Sequence, residues 1–220
     1  MTKSRKVLRG LGIFLLVAVI LAGITLGIII AILNSGQNPE RDEVYYENLK
    51  TIMQDDVVYL SDEFMTENNL TLELGSVAYL FYNKKKVHNP DFTQRVEGID
   101  EYYYGLKSKD NDEMPVSVGV RGVVGEPMNV DVKYNKTTSV GLKYGFMENG
   151  EIYLKNGCLS KTIVIKAYGR NALINKNSCT LIVSVSMTAQ EAQNHTDDEL
   201  ITKFDDVLTS ALKYIQRYGE

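Results

Sequence analysis

Tryptophan is absent from this chain, and cysteine and histidine occur only twice each. Without Trp, the inter-sheet core of an antibody-type domain is excluded. Two cysteines and two distant histidines, His88 and His195, provide no ligand spacing for a transition-metal site. Catalytic signatures are missing too: there is no Gly-x-Ser-x-Gly elbow, no His-Glu-x-x-His and no phosphate-binding loop. The loosely spaced glycines of Gly119-Val120-Arg121-Gly122-Val123-Val124-Gly125 sit between strands, which argues against nucleotide binding. The sequence therefore points away from an enzyme, with an extracytoplasmic hydrolase as a distant third reading behind two non-enzymatic ones.

Negative charge is absent from the first ten residues, which carry Lys3, Arg5, Lys6 and Arg9. An uncharged apolar run from Leu11 to Leu33 follows. As a helix it would be roughly 34 Å long, enough to cross a hydrocarbon core of about 30 Å with some tilt. A cleaved secretory signal is the competing reading. Its apolar core is usually shorter, and Ala31-Ile32-Leu33-Asn34-Ser35-Gly36 is a poor cleavage site. The expectation is a single-pass signal anchor with residues 1–10 in the cytoplasm and everything beyond about residue 35 outside it. The chain has 24 basic and 28 acidic residues, so removing the four basic ones of the leader leaves 20 against 28, a balance of −8. Such a surface disfavours nucleic-acid phosphates and anionic headgroups. The basic run Lys84-Lys85-Lys86 reads as a solvated loop tip, with a small anion-binding patch as the alternative.

A juxtamembrane helix is expected over 38–54, with Asn38 as cap, Pro39 at the first helical position and acids in the first turn. Its apolar stripe would be Tyr45, Leu49, Ile52 and Met53. Residues 55–110 read as a mixed, β-rich region with short strands at 57–60, 70–74 and 77–82, separated by polar punctuation around 61–63 and 68–69. Tyr102, Tyr103 and Tyr104 form a candidate contact patch, because tyrosine rings bury area and keep a hydroxyl available. Aromatic packing of strands is the competing role.

Beyond Pro115, strands follow at short intervals: 116–124, an alternating 128–134, 139–146, 151–155, 162–168 and 179–187, with turns at Gly125-Glu126-Pro127 and Glu148-Asn149-Gly150. This spacing predicts an antiparallel β-sandwich over 114–187. The two turns and the strands Thr162-Ile163-Val164-Ile165-Lys166-Ala167 and Cys179-Thr180-Leu181-Ile182-Val183-Ser184-Val185 resemble a bacterial Ig-like or cadherin-like extracellular domain. The resemblance covers about a third of the chain and implies a binding or spacing module without chemistry of its own. Asn111-Asp112-Glu113-Met114-Pro115 is similar to the Asn-Asp-Asn-x-Pro linker of cadherin repeats, with Glu113 in place of the second Asn and Lys109 where an Asp would stand. That similarity makes Asp110, Asn111, Asp112 and Glu113 a candidate calcium site, set against a plain hydrophilic turn. An exported pair of cysteines invites a Cys158–Cys179 disulfide, whose loop of about 22 residues would add roughly 3 kcal/mol in the chain-entropy model. Two free thiols are the alternative.

The clearest helix lies at 196–217. Thr196-Asp197-Asp198-Glu199 is a capping box, and Leu200, Ile201, Phe204, Val207, Leu208, Ala211, Leu212 and Ile215 form a broad apolar face, expected to pack within the molecule. Taken together, the sequence points to a mainly β protein with flanking helices, exposed at the cell surface by an N-terminal anchor. Its expected partners are a protein subunit or a surface ligand such as a glycan, with calcium the only cofactor in view.

Overall fold

Turn signals such as Glu148-Asn149-Gly150 and Asn156-Gly157 separate short strands, and these strands pair into an antiparallel sheet. The computed structural model describes residues 58–73, 75–81, 85–86, 99–109, 112–124, 130–167 and 179–217, with positions 43, 44, 46, 47 and 49 of an earlier helix. Residues 1–33, where the anchor is expected, lie outside the described residues. Among those described, no helix is long and apolar enough to cross a membrane. All of them belong to one unit, Glu40–Glu220.

The strands are β1 (Val58–Leu60), β2 (Leu70–Leu72), β3 (Ala78–Phe81), β4 (Lys85–Lys86), β5 (Ile99–Ser108), β6 (Ser117–Val124), β7 (Lys136–Thr137), β8 (Lys143–Phe146), β9 (Tyr153–Lys155), β10 (Cys158–Ala167), β11 (Cys179–Thr188) and β12 (Ile215–Arg217). The helices are α1 (Asp62–Glu67), α2 (Ala189–Ala192) and α3 (Asp197–Lys213). Ten strands form one sheet in the order β4-β3-β5-β6-β11-β10-β8-β7, with β2 on β5 and β9 on β10. The remaining two, β1 and β12, pair with each other. The protein is thus mainly β, antiparallel, with a few helices.

Period-two alternation gives the sheet two unlike faces. One face carries Tyr102, Tyr104, Val118, Val120, Leu181, Val183, Ile163 and Ile165, all fully or almost fully buried. Helix α3 lies over β10 and β11 on this side and contributes Leu200, Phe204, Val207, Leu208 and Ala211. Phe64 of α1, Tyr46 and Leu49 of the earlier helix, and Ile215 of β12 complete the core. Gly122 is a steric requirement here: a Cβ would stand 2.0 Å from Cε1 of Tyr102, its cross-strand partner. The ring fills the place of the missing side chain, and its hydroxyl donates to the carbonyl of Val58 at 2.6 Å.

The other face is polar where β5, β6 and β11 meet. Towards β8 the segment 130–134 crosses it. A Cβ on Gly145 would sit 2.3 Å from the Lys133 carbonyl, and Lys166 Nζ lies 4.1 Å from the centre of the Tyr134 ring. This segment was expected to be a strand. Its exposure does alternate, but no ladder forms, and Val132 N–H bonds to the Val130 carbonyl at 2.9 Å instead.

Several other expectations are refined. Helix α1 lies where polar punctuation was read: Asp62 and Glu63 occupy its first turn and Phe64 points into the core. The tight β9–β10 hairpin turns on Asn156 (φ 52°) and Gly157 (φ 77°), the left-handed pair that a two-residue hairpin loop requires. Helix α3 has its Thr196–Glu199 capping box, but it ends at Lys213. Residues 215–217 continue as β12, so Ile215 is buried from a strand. In the earlier helix, Tyr46 and Leu49 are the buried pair; Tyr45, Ile52 and Met53 lie outside the described residues.

Candidate functional site

The three consecutive tyrosines do not form one patch. Tyr102 and Tyr104 point to the helix-covered face, where they are 0% and 2% exposed, and burial pushes both hydroxyls upward in pKa. Their role is core packing, because residues i and i+2 of a strand share a face and that face is covered. Tyr103 points the other way and is 39% exposed. Its ring lies over Gly119, 3.6 Å from the point a Cβ there would occupy. Around it is a groove of about 390 Å³ lined by Glu73, Ser117, Arg121, Ile182 and Ser184 among others. Arg121 Nε donates to Glu101 Oε1 at 2.7 Å. Partial burial raises the Tyr103 hydroxyl, with the charge of Glu73 adding to the effect. The groove thus offers one aromatic platform, hydroxyls and an ion pair.

The acidic turn is only partly in view. Asp110 and Asn111 lie outside the described residues, and Glu113 is exposed. Asp112 is already engaged. It accepts from Ser108 Oγ at 2.9 Å, from the Met114 N–H at 3.0 Å and from Lys203 Nζ of α3 at 3.1 Å. Burial pushes its carboxyl up, but these donors outweigh burial and hold it below the usual carboxylate range. An ammonium in contact with a carboxylate competes with any cation for the same oxygens. The observed role of Asp112 is to tie the turn before β6 to α3. No group of three or more His, Cys, Asp or Glu side chains is placed to hold a metal among the described residues.

The expected disulfide does not form. Neither Cys158, half-buried, nor Cys179, buried, is in a disulfide. Register gives the reason: Cys158 pairs with Thr188 and Cys179 pairs with Ala167. The cysteines therefore stand at opposite ends of a ten-residue ladder, about 30 Å apart at strand rise, where a disulfide needs Cα atoms within about 7 Å.

Ser210 and Lys213 of α3 stand at Ser-x-x-Lys spacing, a pattern that has catalytic uses elsewhere. Here their side chains are committed to different neighbours. Ser210 Oγ accepts from Asn68 Nδ2 at 2.8 Å, and Lys213 Nζ donates to Glu67 Oε2 at 2.8 Å. Both contacts bind α3 to α1.

A second groove, of about 430 Å³, runs between the start of α3 and the β9–β10 hairpin. Ile152, Leu159, Leu200 and Ile201 form its walls, and Glu151 and Asp197 stand at its lip. Lys161, only 8% exposed, reaches its floor and donates to Asp205 of α3. Sequence reading assigned Ile201 to the packed face of the helix, yet it is 44% exposed. Family models, curated proteins and solved structures give no match to the chain.

Proposed function

We propose that this chain is a non-enzymatic, single-pass membrane protein that holds an acidic, mainly β domain outside the cytoplasm as an accessory subunit of a membrane or envelope assembly. The observation that carries the reading is the basic leader followed by the uncharged run from Leu11 to Leu33. The described portion fits a binding role: Tyr102, Tyr104, Asp112 and Lys203 are spent on packing and internal ties, while open grooves lie beside Tyr103 and beside the β9–β10 hairpin. Kinship with Ig-like or cadherin-like sandwiches belongs to the same proposal, supported by the turn and alternation motifs over 114–187.

A surface adhesin is the second reading. The groove beside Tyr103 favours it, because an aromatic face among hydroxyls and an ion pair suits a glycan.

The test is protease protection of the full-length protein in sealed membranes, with alkaline extraction alongside. Resistance to alkaline extraction, with cleavage beyond residue 35 from the outer side only, is the expected result. Release by alkali, or cleavage of that portion from the cytoplasmic side only, would overturn the anchor. Cross-linked recovery of a partner at near-equal abundance then separates a subunit from a solitary adhesin.

A further inference from the structure

We infer that the groove between the start of α3 and the β9–β10 hairpin docks a protein segment in which an apolar side chain is flanked by Lys or Arg; the inference rests on the reading of this domain as an interaction module. Shape, exposure and charge lead to it. The walls are apolar; Ile201, 44% exposed, lines the groove, and Leu154, 64% exposed, stands beside it on the neighbouring strand. Leu154 is the cross-strand partner of Leu159, so both side chains stand on the groove side of the hairpin. A contiguous apolar strip of this kind, rimmed by polar residues, marks a contact surface.

Charge selects the occupant. Asp197, Ile201 and Asp205 follow each other at four-residue spacing along α3, so one stripe of the helix faces the groove. Lys161 is bonded to Asp205, and the two charges cancel. Glu151 and Asp197 remain at the lip and leave it negative. Pairing of this groove with the same groove of a second copy would bring two identical acidic lips together. An anionic lipid surface would be repelled for the same reason. A segment with basic residues on either side of an apolar anchor satisfies both the walls and the lip. Lys161 adds a polar point at the floor: its ammonium donates to Asp205 and lies 5.7 Å from the centre of the Phe146 ring, and with three N–H donors it can also meet a backbone carbonyl of the docked segment.

The test uses the full-length protein in phosphatidylcholine nanodiscs and three blocked pentapeptides, Gly-Arg-Leu-Arg-Gly, Gly-Glu-Leu-Glu-Gly and Gly-Arg-Ala-Arg-Gly, followed by methyl NMR. The Arg-Leu-Arg peptide should shift the Leu154 and Ile201 methyl signals saturably, and less so at high salt. The other two peptides should leave them unmoved. Glu151→Gln, at an exposed position, should weaken that binding roughly two- to fivefold without altering the rest of the spectrum. Equal response to the acidic and basic peptides, no response to either, or shifts confined to other methyl groups would overturn the proposal. Topology is read separately by protease protection: loss of peptide binding with topology intact removes the docking site alone, whereas binding with topology lost removes the anchor alone.

Discussion

The two faces of the ten-stranded sheet are made by the same strands from alternating residues, and they have opposite fates. On one, Val183 lies under α3, Tyr102 under β1 and Tyr104 against Tyr46 of the earlier helix; on the other, Tyr103, Arg121 and Ser184 border open space. Tyr102 and Tyr103 differ by one position along β5, yet one is sealed in the core and the other is exposed beside a groove. Burial therefore follows from what lies above each face more than from residue type. Where segment 130–134 crosses the polar face, Val164, the cross-strand partner of Gly145, is fully buried as well.

Removing the cover should have the largest effect. Phe204 of α3 is 0% exposed, and Phe204→Ala should cost about 3–5 kcal/mol in urea unfolding, a large share of a domain's usual stability. A loss below about 1 kcal/mol would mean that α3 does not seal the covered face. Next comes Gly122→Ala, whose methyl group would meet the Tyr102 ring; about 1–3 kcal/mol should be lost. Combined with Tyr102→Val, the same change should add almost nothing, so a double-mutant cycle reads the clash directly.

Asp112→Asn is expected to cost about 1–2 kcal/mol at pH 7, since three donors converge on that carboxylate. Its pH dependence has a definite sign. The folded carboxyl titrates below its unfolded value, so its contribution is complete above the ordinary carboxylate range and is lost as pH falls through the folded pKa. Unfolding midpoints of the wild type and Asp112→Asn should accordingly converge in acid. A constant gap down to pH 2 would assign the effect to something other than ionisation.

The smallest pair of changes sharpens the contrast between faces. Tyr102→Phe removes the donor to the Val58 carbonyl and should cost about 1 kcal/mol, while Tyr103→Phe should stay within about 0.5 kcal/mol. Equal losses would erase the distinction.

Local signals written in a few adjacent residues were legible. The Thr196–Glu199 capping box, the Glu148-Asn149-Gly150 reversal and the alternation of 179–187 all appear where the chain announces them. Two signals were present but passed over. Ser61-Asp62-Glu63 before Phe64 is a helix start, and Asn156-Gly157 is a hairpin turn. The candidate sites fared differently, because each depended on a partner distant in sequence. Lys203 meets Asp112 from 91 residues away, and no spacing rule reveals that pair. The register of β10 on β11 separates two cysteines whose sequence distance alone invites a bond. The alternation read at 128–134 is present in the exposure of 130–134, but a ladder needs a neighbouring strand at hydrogen-bonding distance, and these residues lie across a face instead.

The sequence by itself determined the mainly β character, the Glu148-Asn149-Gly150 turn and the amphipathic final helix, because backbone preference and side-chain period act over a few residues. Only the tertiary structure decided which face of the sheet α3 covers, which tyrosine remains exposed, that the thiols stay apart and that an apolar groove with an acidic lip opens beside the β9–β10 hairpin. Those outcomes depend on register and on contacts between residues far apart in the chain, which are fixed only when the elements pack.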